Sequence, residues 1–462
     1  MPGPVTEVAT KLEATAASFV KEHRLPGAAV GVVHGDDLVW SAGIGFADVS
    51  TGRPHDPTTL HRIASITKTF TGTAVMQLRD EGLLHLDDPA VTYLPELRSS
   101  QSPFGAIETV TIRRLLSHES GMKGDPPGTE WVSATYEGDP AVNLANAAAF
   151  GTMVPPNTQQ KYSNLGFQLL GEVVARIGGQ PYASYLRANV LEPLGMSSTA
   201  FDPLDPALEA RRATGYRGRA FSDELEPAIA VPPIEAEGGL WSSVEDLARW
   251  VSFQFRRDAG PRGGAQILAG ATLKEMQTPR YLGDDAWTEA WGIAWYAQRK
   301  DDVIWVQHSG GLHGFITNVC FDPLEKVGAI ALVNGVGPAS ELAVSLAGVA
   351  RTAVRDAPPP VVSPAPTPAP YRELLGLYTD APTVGDGYMV RLEWRDGALT
   401  FLNPQEPTWR PTLTPAGDPD VFTVEPGVRE SGEPVRFERR TDGRIKAVDL
   451  AGTRLVRLDP VE

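Results

Sequence analysis

A proline-rich run at residues 357–370 (APPPVVSPAPTPAP) divides this chain of 462 residues into two unequal parts. Proline carries no backbone N–H and favours an extended polyproline conformation, so the run predicts a semi-rigid spacer rather than part of a packed core. Two separate domains are therefore expected, residues 1–356 and residues 371–462, and each is long enough to bury a core of its own.

Residues 371–462 alternate apolar and polar residues in short runs that are separated by turn sequences. The runs are Tyr388–Trp394, Leu399–Leu402, Val435–Arg439, Ile445–Leu450 and Arg454–Leu458. Alternation with a period of two is typical of half-buried strands, and the steps Asp396-Gly397 and Asp442-Gly443 are strong hairpin signals. This part of the chain is predicted to form a small antiparallel β-barrel.

Residues 1–356 carry strand-like segments near both ends and helix-like segments between them. One hairpin is predicted from Ala28–Val33 and Leu38–Ala42, a second from Thr317–Phe321 and Val327–Val333, and a closing helix from Ala339–Arg355. Strands at both ends with helices between them predict an α/β domain whose sheet joins the two ends of the domain.

The charge balance excludes some classes of function. The chain has 57 Asp and Glu and 41 Lys and Arg side chains, a net charge of −16. Such a surface does not attract nucleic-acid phosphates or anionic membranes, so neither is expected as a partner. The first residues show no basic segment followed by an apolar one, so no signal peptide is predicted and a cytoplasmic location is expected.

Metal and cofactor chemistry finds no support in the sequence. Cys320 is the only cysteine, and the eight histidines form no His-Glu-x-x-His cluster. Neither a Walker loop nor a dinucleotide fingerprint is present. No metal and no cofactor are expected, which leaves nucleophilic catalysis by serine as the chemistry to test.

A serine three residues before a lysine brings a nucleophile and a base together when both lie on one helical turn. The pattern occurs at Ser18–Lys21, Ser65–Lys68 and Ser120–Lys123. Glycine and proline disfavour a helix at the third site, and the first lies on the expected solvated face of a helix. Ser65 opens a predicted helix that ends at about Leu83. At the start of this helix, beside Ser65, free backbone N–H groups would stabilise an oxyanion. An ordinary helix-capping serine is the alternative there.

Two further motifs accompany this one. Lys161-Tyr162-Ser163-Asn164 contains Tyr-x-Asn, and Gln307-His308-Ser309-Gly310-Gly311 contains His-x-Gly. In the order Ser-x-x-Lys, Tyr-x-Asn, His-x-Gly, the chain resembles the serine β-lactamase and penicillin-binding-protein superfamily, in particular its class C-like hydrolase branch. Residues 114–122, 192–196 and 237–242 also look like family sequences, so the resemblance extends over nearly all of residues 7–355.

The resemblance implies a β-lactamase/transpeptidase-like fold for residues 1–356, with an antiparallel sheet flanked by helices and a helical subdomain. Leu375-Gly376-Leu377-Tyr378 further resembles the lipocalin-like domain that often follows this catalytic domain. An α/β (α+β) hydrolase domain followed by a lipocalin-like barrel is therefore expected. We expect the barrel to border the active site and to restrict what enters it.

The resemblance also implies a role for each motif residue. Ser65 would be the acylated nucleophile, and Lys68 and Tyr162 would share the proton shuttle. Asn164 would hold the acyl-side carbonyl group of the substrate. The backbone N–H groups of Ser65 and Gly311 would form the oxyanion hole.

The third motif departs from the family pattern, because His308 stands where many members carry lysine. Neutral histidine offers a hydrogen bond and only conditional charge. Within the family, His-x-Gly resembles certain D-peptidases, aminopeptidases and esterases more than strong β-lactamases. Ser309, Gly310 and Gly311 would lie beside the substrate. Outside the motifs, His118 is expected to be a structural residue that closes a helix, and the set Trp241, Trp291 and Trp295 is expected to lie in the core.

The predicted function is that of a serine hydrolase that cleaves an ester or amide bond of a small molecule or peptide through an acyl-enzyme. In one alternative, a penicillin-binding-protein-type thioesterase, the acyl group passes to an amine and cyclises a peptide. In another, a ligand-binding sensor keeps the fold without turnover. The segments around residues 124–147 and 213–234 are expected to shape the pocket, and no oligomeric state is predicted.

Overall fold

The computed structural model shows two compact units, residues 1–357 and residues 358–462. The structure describes residues 4–125, 144, 147–216, 235–300, 302–357, 366–381, 387–395, 397–403, 406, 409–425 and 431–458. Most of the proline-rich run and most of the two pocket-shaping segments lie outside the described residues, so the spacer and the role of those segments stay predictions.

The helices of the first unit range from single turns to about five turns. They are α1 (Pro4–Glu7), α2 (Ala9–Glu22), α3 (Thr67–Asp80), α4 (Ile112–Leu116), α5 (Asn164–Gly178), α6 (Tyr182–Leu186), α7 (Pro206–Glu209), α8 (Glu235–Gly238), α9 (Val244–Gln254), α10 (Gly270–Gln277) and α11 (Ala339–Asp356). Short 3-10 turns occur at Ala64–Ile66, Ala90–Thr92, Pro95–Ser99, Ile107–Thr109 and Ala147–Ala149, and a π turn at Arg187–Leu191.

The strands of the first unit fall mostly near its two ends. They are β1 (Gly27–His34), β2 (Asp37–Asp48), β3 (Arg53–Pro54), β4 (His61–Arg62), β5 (Trp241–Ser242), β6 (Tyr281–Leu282), β7 (Glu289–Trp291), β8 (Tyr296–Lys300), β9 (Val303–Leu312), β10 (Phe315–Asp322) and β11 (Val327–Val333). Both predicted hairpins and the closing helix are present.

Within the described residues, nine of these strands form one antiparallel sheet in the order β3-β2-β1-β11-β10-β9-β8-β7-β6. Strands β1 and β11 pair directly, with Ala28 opposite Val333 and His34 opposite Val327. The sheet therefore joins the two ends of the unit, as predicted. Strands β4 and β5 form a separate antiparallel pair.

Helices cover both faces of this sheet. Along β1, Ala28, Val30 and Val32 pack in one core with α2 and α11, whereas Ala29 and Val33 pack in a second core with α9. Because successive side chains of a strand point to opposite faces, a strand buried on both sides is apolar throughout its length. The second core continues through α3, α4 and α5, which make up the predicted helical subdomain.

The helix predicted from Ser65 to about Leu83 is shorter in the structure. Ser65 lies on the 3-10 turn Ala64–Ile66, and the α-helical segment α3 ends at Asp80. Gly82, with φ of +73°, follows the helix in the left-handed conformation that glycine adopts readily. The nucleophile candidate therefore lies one turn before the helix.

The second unit is a closed barrel. Its strands are β12 (Gly376–Thr379), β13 (Met389–Arg395), β14 (Ala398–Leu402), β15 (Thr412–Pro415), β16 (Val421–Glu425), β17 (Pro434–Arg439), β18 (Ile445–Leu450) and β19 (Thr453–Leu458). They pair antiparallel in chain order, and β19 closes the barrel on β12. The predicted antiparallel barrel is confirmed, although β12, β15 and β16 were not predicted; the likeness to lipocalins stays a prediction.

A search of the described residues for membrane-spanning segments finds no helix that is both long enough and apolar enough to cross a bilayer.

Candidate active site

Ser65 and Lys68 lie together where the 3-10 turn Ala64–Ile66 leads into α3. The Lys68 side chain is fully buried, and its Nζ donates a hydrogen bond to Ser65 Oγ at 3.1 Å. The same Nζ donates to the main-chain carbonyl of Glu237 at 2.7 Å. Ala64, just before Ser65, has φ of +47°, so the chain turns sharply there before the helix begins. Of the three Ser-x-x-Lys patterns, this one places the amine against the hydroxyl.

The other two patterns do not form such a pair. Ser18 and Lys21 are exposed on α2, as predicted. Between Ser120 and Lys123, Gly121 has φ of +69°, which interrupts any helical turn. Lys123 Nζ donates instead to the main-chain carbonyl of Ala149 at 2.7 Å.

Tyr162 approaches this pair from the segment that precedes α5. Helix α5 begins after Ser163, whose hydroxyl accepts a hydrogen bond from the Gly166 N–H at 2.9 Å. That cap fixes the direction in which the chain enters the helix. The ring centroid of Tyr162 lies 5.1 Å from Lys68 Nζ, within the range of a cation–π contact.

His118 stacks on the Tyr162 ring. The two ring centroids lie 4.2 Å apart at an interplanar angle of 29°. His118 closes α4 with φ of +60°, as expected of a structural residue, and its Nδ1 accepts a hydrogen bond from the Ser163 N–H at 3.1 Å. Burial and the nearby charge of Lys68 keep its pKa well below the ordinary value, so the ring is neutral and its proton lies on Nε2.

His308 enters from β9 and is also neutral. Its Nδ1 lies 2.7 Å from the Ser309 carbonyl oxygen, which has only lone pairs, so Nδ1 carries the proton and Nε2 is an acceptor. Burial, with the positive charge of Lys68, lowers the pKa of His308 to about 3. The conditional charge considered for this residue is therefore absent at neutral pH.

The two glycines of the third motif differ in their surroundings. A Cβ atom at Gly310 would lie 2.1 Å from the Ile63 carbonyl oxygen and 2.6 Å from Thr317 Oγ1, so only glycine fits there. Because Gly310 has no side chain, the backbone of β9 packs directly against Ile63, in the segment that carries Ser65. Gly311 is exposed, and a Cβ atom there would meet only Ile316 Cδ1, at 3.3 Å.

Two clefts meet at Ser65 and Gly311. The first, of about 340 Å³, is called the acidic cleft; it is lined by Ala64, Ser65, Asp125, Asn164, Glu237, Gly238, Gly311, Leu312 and His313. The second, of about 480 Å³, is called the amide cleft; it is lined by Ser65, Tyr162, Trp291, Tyr296, Gln298, Gln307, His308, Ser309, Gly311, Asn318 and Ser340. The eight site residues predicted from the sequence thus lie in or beside these clefts, Lys68 and Gly310 behind the lining.

Two carboxyl groups of the acidic cleft were not predicted. Asp125 Oδ1 accepts a hydrogen bond from Asn164 Nδ2 at 2.7 Å. Glu237 is 1% exposed, and its Oε1 accepts from Gln168 Nε2 at 3.2 Å. Burial, reinforced by the charge of Asp125 and opposed by that of Lys68, raises the pKa of Glu237 to about 8. Glu237 lies in the family-like stretch 237–242, and Asp125 lies in the segment 124–147 that is expected to shape the pocket, but neither residue is singled out by the sequence.

The amide cleft is named for a hydrogen-bonded chain of neutral side chains. Asn318 Nδ2 donates to Ser340 Oγ at 2.9 Å and to Gln307 Oε1 at 3.2 Å. Gln307 Nε2 donates in turn to Gln298 Oε1 at 3.1 Å. The chain crosses β8, β9, β10 and the start of α11, so it ties four elements together behind the cleft.

Trp291 is the one tryptophan of the expected core set that was predicted wrongly. Trp241 and Trp295 are each 1% exposed, whereas Trp291 is only partly buried and lines the amide cleft. Its ring centroid lies 5.7 Å from those of Tyr162 and His308. Successive side chains of a strand point to opposite faces, and on β7 Ala290 is buried whereas Trp291 lines the cleft.

Comparison with known proteins shows similarity over most of the chain. Residues 12–354 match the family model described as Beta-lactamase. The chain is 31% identical over 325 residues to Penicillin-binding protein 4 from Amycolatopsis lactamdurans, covering 68% of this chain and 82% of that protein. It is 27% identical over 330 residues to Protein flp from Staphylococcus aureus (strain COL), covering 68% of this chain. The chain spans 61% of the length of that relative.

A solved structure is similar over nearly the whole chain. The crystal structure of SurE matches with a TM-score of 0.61 and 27% identity, covering 99% of this chain and 100% of that chain. The crystal structure of SurE with D-Leu matches with a TM-score of 0.59 and 26% identity, covering 98% and 100%.

Proposed function

Because the chain belongs to the beta-lactamase family, whose members are serine hydrolases, we propose that it cleaves an ester or amide bond through an acyl-enzyme on Ser65. One observation carries the proposal, the 3.1 Å hydrogen bond between Lys68 Nζ and Ser65 Oγ at the floor of two clefts. A serine hydroxyl is a weak nucleophile until a neighbouring group takes its proton, and Lys68 and Tyr162, which contact each other beside Ser65, form a pair that can take it.

In the proposed reaction, the pair starts as the Lys68 ammonium group beside the Tyr162 phenolate, so it can accept one proton. Ser65 Oγ attacks the carbonyl carbon of the substrate, and the Ser65 proton passes to this pair. The charge that develops on the carbonyl oxygen is stabilised by the N–H groups of Ser65 and Gly311. The shared proton then goes to the leaving group as the carbonyl–heteroatom bond breaks. Water repeats the sequence on the acyl-enzyme, losing a proton to the same pair, and releases the acid and free Ser65.

The clefts support a neutral leaving group. His308 is uncharged because burial and the charge of Lys68 depress its pKa. Beside it, the amide chain of Gln298, Gln307 and Asn318 offers hydrogen-bonding groups without net charge. We therefore propose small esters or D-residue peptides as substrates; the structure of the related SurE with D-Leu supports the second class.

Acyl transfer to an amine is a second candidate function. The amide cleft, at about 480 Å³, offers far more room than the single water that hydrolysis requires. An amine bound there would attack the acyl-enzyme in place of water. Adding simple primary amines during ester turnover would distinguish the two, since a transferase forms the amide at the expense of the free acid.

Replacing the nucleophile tests the proposal. Ser65→Ala is expected to lower kcat for a 4-nitrophenyl ester by about 10⁴-fold or more, because the covalent route is lost. Ser18→Ala and Ser120→Ala are matched controls, since both serines also precede a lysine by three residues, and each is expected to keep wild-type activity. Circular dichroism checks that all three variants fold. An active Ser65→Ala variant would contradict the proposal, and a folded wild-type protein without turnover would support the sensor alternative.

A further inference from the structure

The two clefts beside Ser65 differ in charge. The amide cleft is lined by neutral amides, hydroxyl groups and aromatic rings together with neutral His308. The acidic cleft contains the carboxyl groups of Asp125 and Glu237. If the substrate places its acyl part in one cleft and its leaving group in the other, the two parts meet different electrostatic environments.

Glu237 presents an unsatisfied oxygen atom. It lies on α8 with 1% of its surface exposed, and Gln168 donates to its Oε1. Its Oε2 has no hydrogen-bond partner among the described residues. A buried carboxyl oxygen without a hydrogen-bond partner costs free energy in either protonation state, and a ligand that brings an N–H group to the ionised carboxylate would recover that free energy.

The cation nearest to these carboxyl groups is directed elsewhere. Lys68 Nζ donates to Ser65 Oγ and to the main-chain carbonyl of Glu237, not to the Glu237 carboxyl group. Burial, opposed by the charge of Lys68 and reinforced by that of Asp125, raises the pKa of Glu237 to about 8, so this carboxyl group keeps a proton at neutral pH. A cation that binds the Glu237 carboxyl group must therefore displace this proton.

Asn164 indicates which part of the substrate the acidic cleft receives. The family resemblance implies that Asn164 holds the acyl-side carbonyl group, and its Nδ2 donates to Asp125 Oδ1 at 2.7 Å. A group that contacts Asp125 therefore lies on the acyl side of the bond that Ser65 attacks.

We propose that the acidic cleft is an ammonium subsite, in which Asp125 and Glu237 bind a cationic amino group carried by the acyl part of the substrate. This inference rests on the proposed function and narrows its substrate class to amino-acyl esters and amides. An ammonium group has three N–H donors, enough for the Asp125 carboxylate and the open Oε2 of Glu237. On binding, the Glu237 O–H bond breaks, its proton goes to water, and the ammonium group takes its place.

The test compares substrates that differ only in this group. The methyl esters of D-alanine and isobutyric acid exchange –NH3⁺ for –CH3 on the same carbon atom, and L-alanine methyl ester reports stereochemistry. At pH 7 the amino group is mostly protonated, and the released acid is followed by titration. The wild-type kcat/KM is expected to favour the D-alanine ester over the isobutyrate ester by about tenfold or more.

Variants of the cleft complete the test. Glu237→Gln and Asp125→Asn should each reduce the preference for the amine by about tenfold. Glu235→Gln is the matched control, because Glu235 lies on the same helix α8 outside the lining of the cleft, and it should keep the preference. Two independent cleft variants keep the test decisive if one fails to fold.

The outcomes separate the inference from the proposed function. A wild-type preference near one or below, or a preference that persists in both cleft variants, overturns the ammonium subsite while ester hydrolysis stands. If the wild-type protein hydrolyses neither these esters nor a 4-nitrophenyl ester, the proposed function fails and the inference fails with it.

Discussion

The two units of the chain differ in what they bury. In the barrel, the core cluster is built from side chains such as Leu392, Phe401 and Val448, and the Tyr378 hydroxyl donates to the Leu374 carbonyl at 2.5 Å. No charged side chain among the described barrel residues is buried. In the first unit, the buried set includes Arg62, Lys68, Glu237, Asp246 and Asp322, together with four histidines, His55, His61, His118 and His308.

This difference in buried groups indicates which unit carries the candidate active site. Burying a titratable group costs stability unless its partners compensate, so a chain selected for stability alone would avoid it, as the barrel does. Lys68, Glu237, His118 and His308 lie in or beside the clefts. For these four groups, we infer that the first unit tolerates the cost of burial because the site requires them.

The first way to break the comparison is to remove the buried groups that are proposed to move the proton. Lys68→Ala and Tyr162→Phe are each expected to lower kcat/KM for a 4-nitrophenyl ester by about 10³-fold or more. The double variant should lose little beyond either single variant, because residues that act as a unit are non-additive. Additive losses would contradict a shared proton shuttle.

Acid should destabilise the first unit but not the barrel. Burial lowers the pKa of His55 to about 4 and that of His308 to about 3, and the pKa values of His61 and His118 lie well below the ordinary one. Below about pH 6.5 the unfolded chain binds protons that the folded unit does not. The free energy of unfolding of the first unit is therefore at its full value above that pH and decreases as the pH falls.

Each such histidine approaches a cost of about 1.4 kcal/mol for every pH unit below its unfolded pKa. All eight histidines precede residue 358, so the barrel has none. Hydrogen exchange on the full chain, corrected for the intrinsic effect of pH, should show β1 and β11 losing protection between pH 6.5 and pH 5 while the barrel strands keep theirs. Equal losses in both units would contradict the comparison.

The glycines of the third motif sharpen the contrast at the level of the backbone. Gly310→Ala places a methyl group 2.1 Å from the Ile63 carbonyl oxygen, and such overpacking costs about 1–3 kcal/mol or more. Gly311→Ala meets only a flexible Ile316 side chain at 3.3 Å. A thermal melt should therefore show a clear loss of stability for Gly310→Ala and little change for Gly311→Ala.

The smallest effect is expected at the barrel surface. Arg439 forms ion pairs with Asp420 and Glu373 at its exposed end, and exposed pairs contribute about 1 kcal/mol or less. Arg439→Ala should leave ester turnover unchanged and should lower the free energy of unfolding only slightly. A loss as large as that of Gly310→Ala would show that surface charge, not buried packing, stabilises the chain.

The features that the sequence predicted well are carried by local patterns. Period-two alternation and Asp-Gly turns located β13, β14, β17, β18 and β19. Apolar runs located the hairpins β1–β2 and β10–β11 and the sheet that joins the two ends of the unit, but not the direct pairing of β1 with β11. Strand β14 is hardly longer than β12, β15 and β16, but the step Asp396-Gly397 marks its start, whereas no Asp-Gly step adjoins the other three strands.

The residues of the candidate site were likewise predicted only where a local sequence pattern marks them. Ser65, Tyr162 and His308 were found because short motifs mark them. Asp125 and Trp291 carry no motif, and they reach the clefts only when segments distant in sequence pack together. A tryptophan is more often a core residue, and only the folded structure shows that Trp291, on β7, lines a cleft.

The measurement that tests the central claim most directly is covalent labelling of the full chain with a fluorophosphonate, followed by peptide mass spectrometry. The reagent modifies a serine only when a neighbouring base activates it. We predict one adduct, on the peptide that contains Ser65, and its loss in Lys68→Ala. An adduct on Ser18 or Ser120, or undiminished labelling of Ser65 without Lys68, would contradict the account.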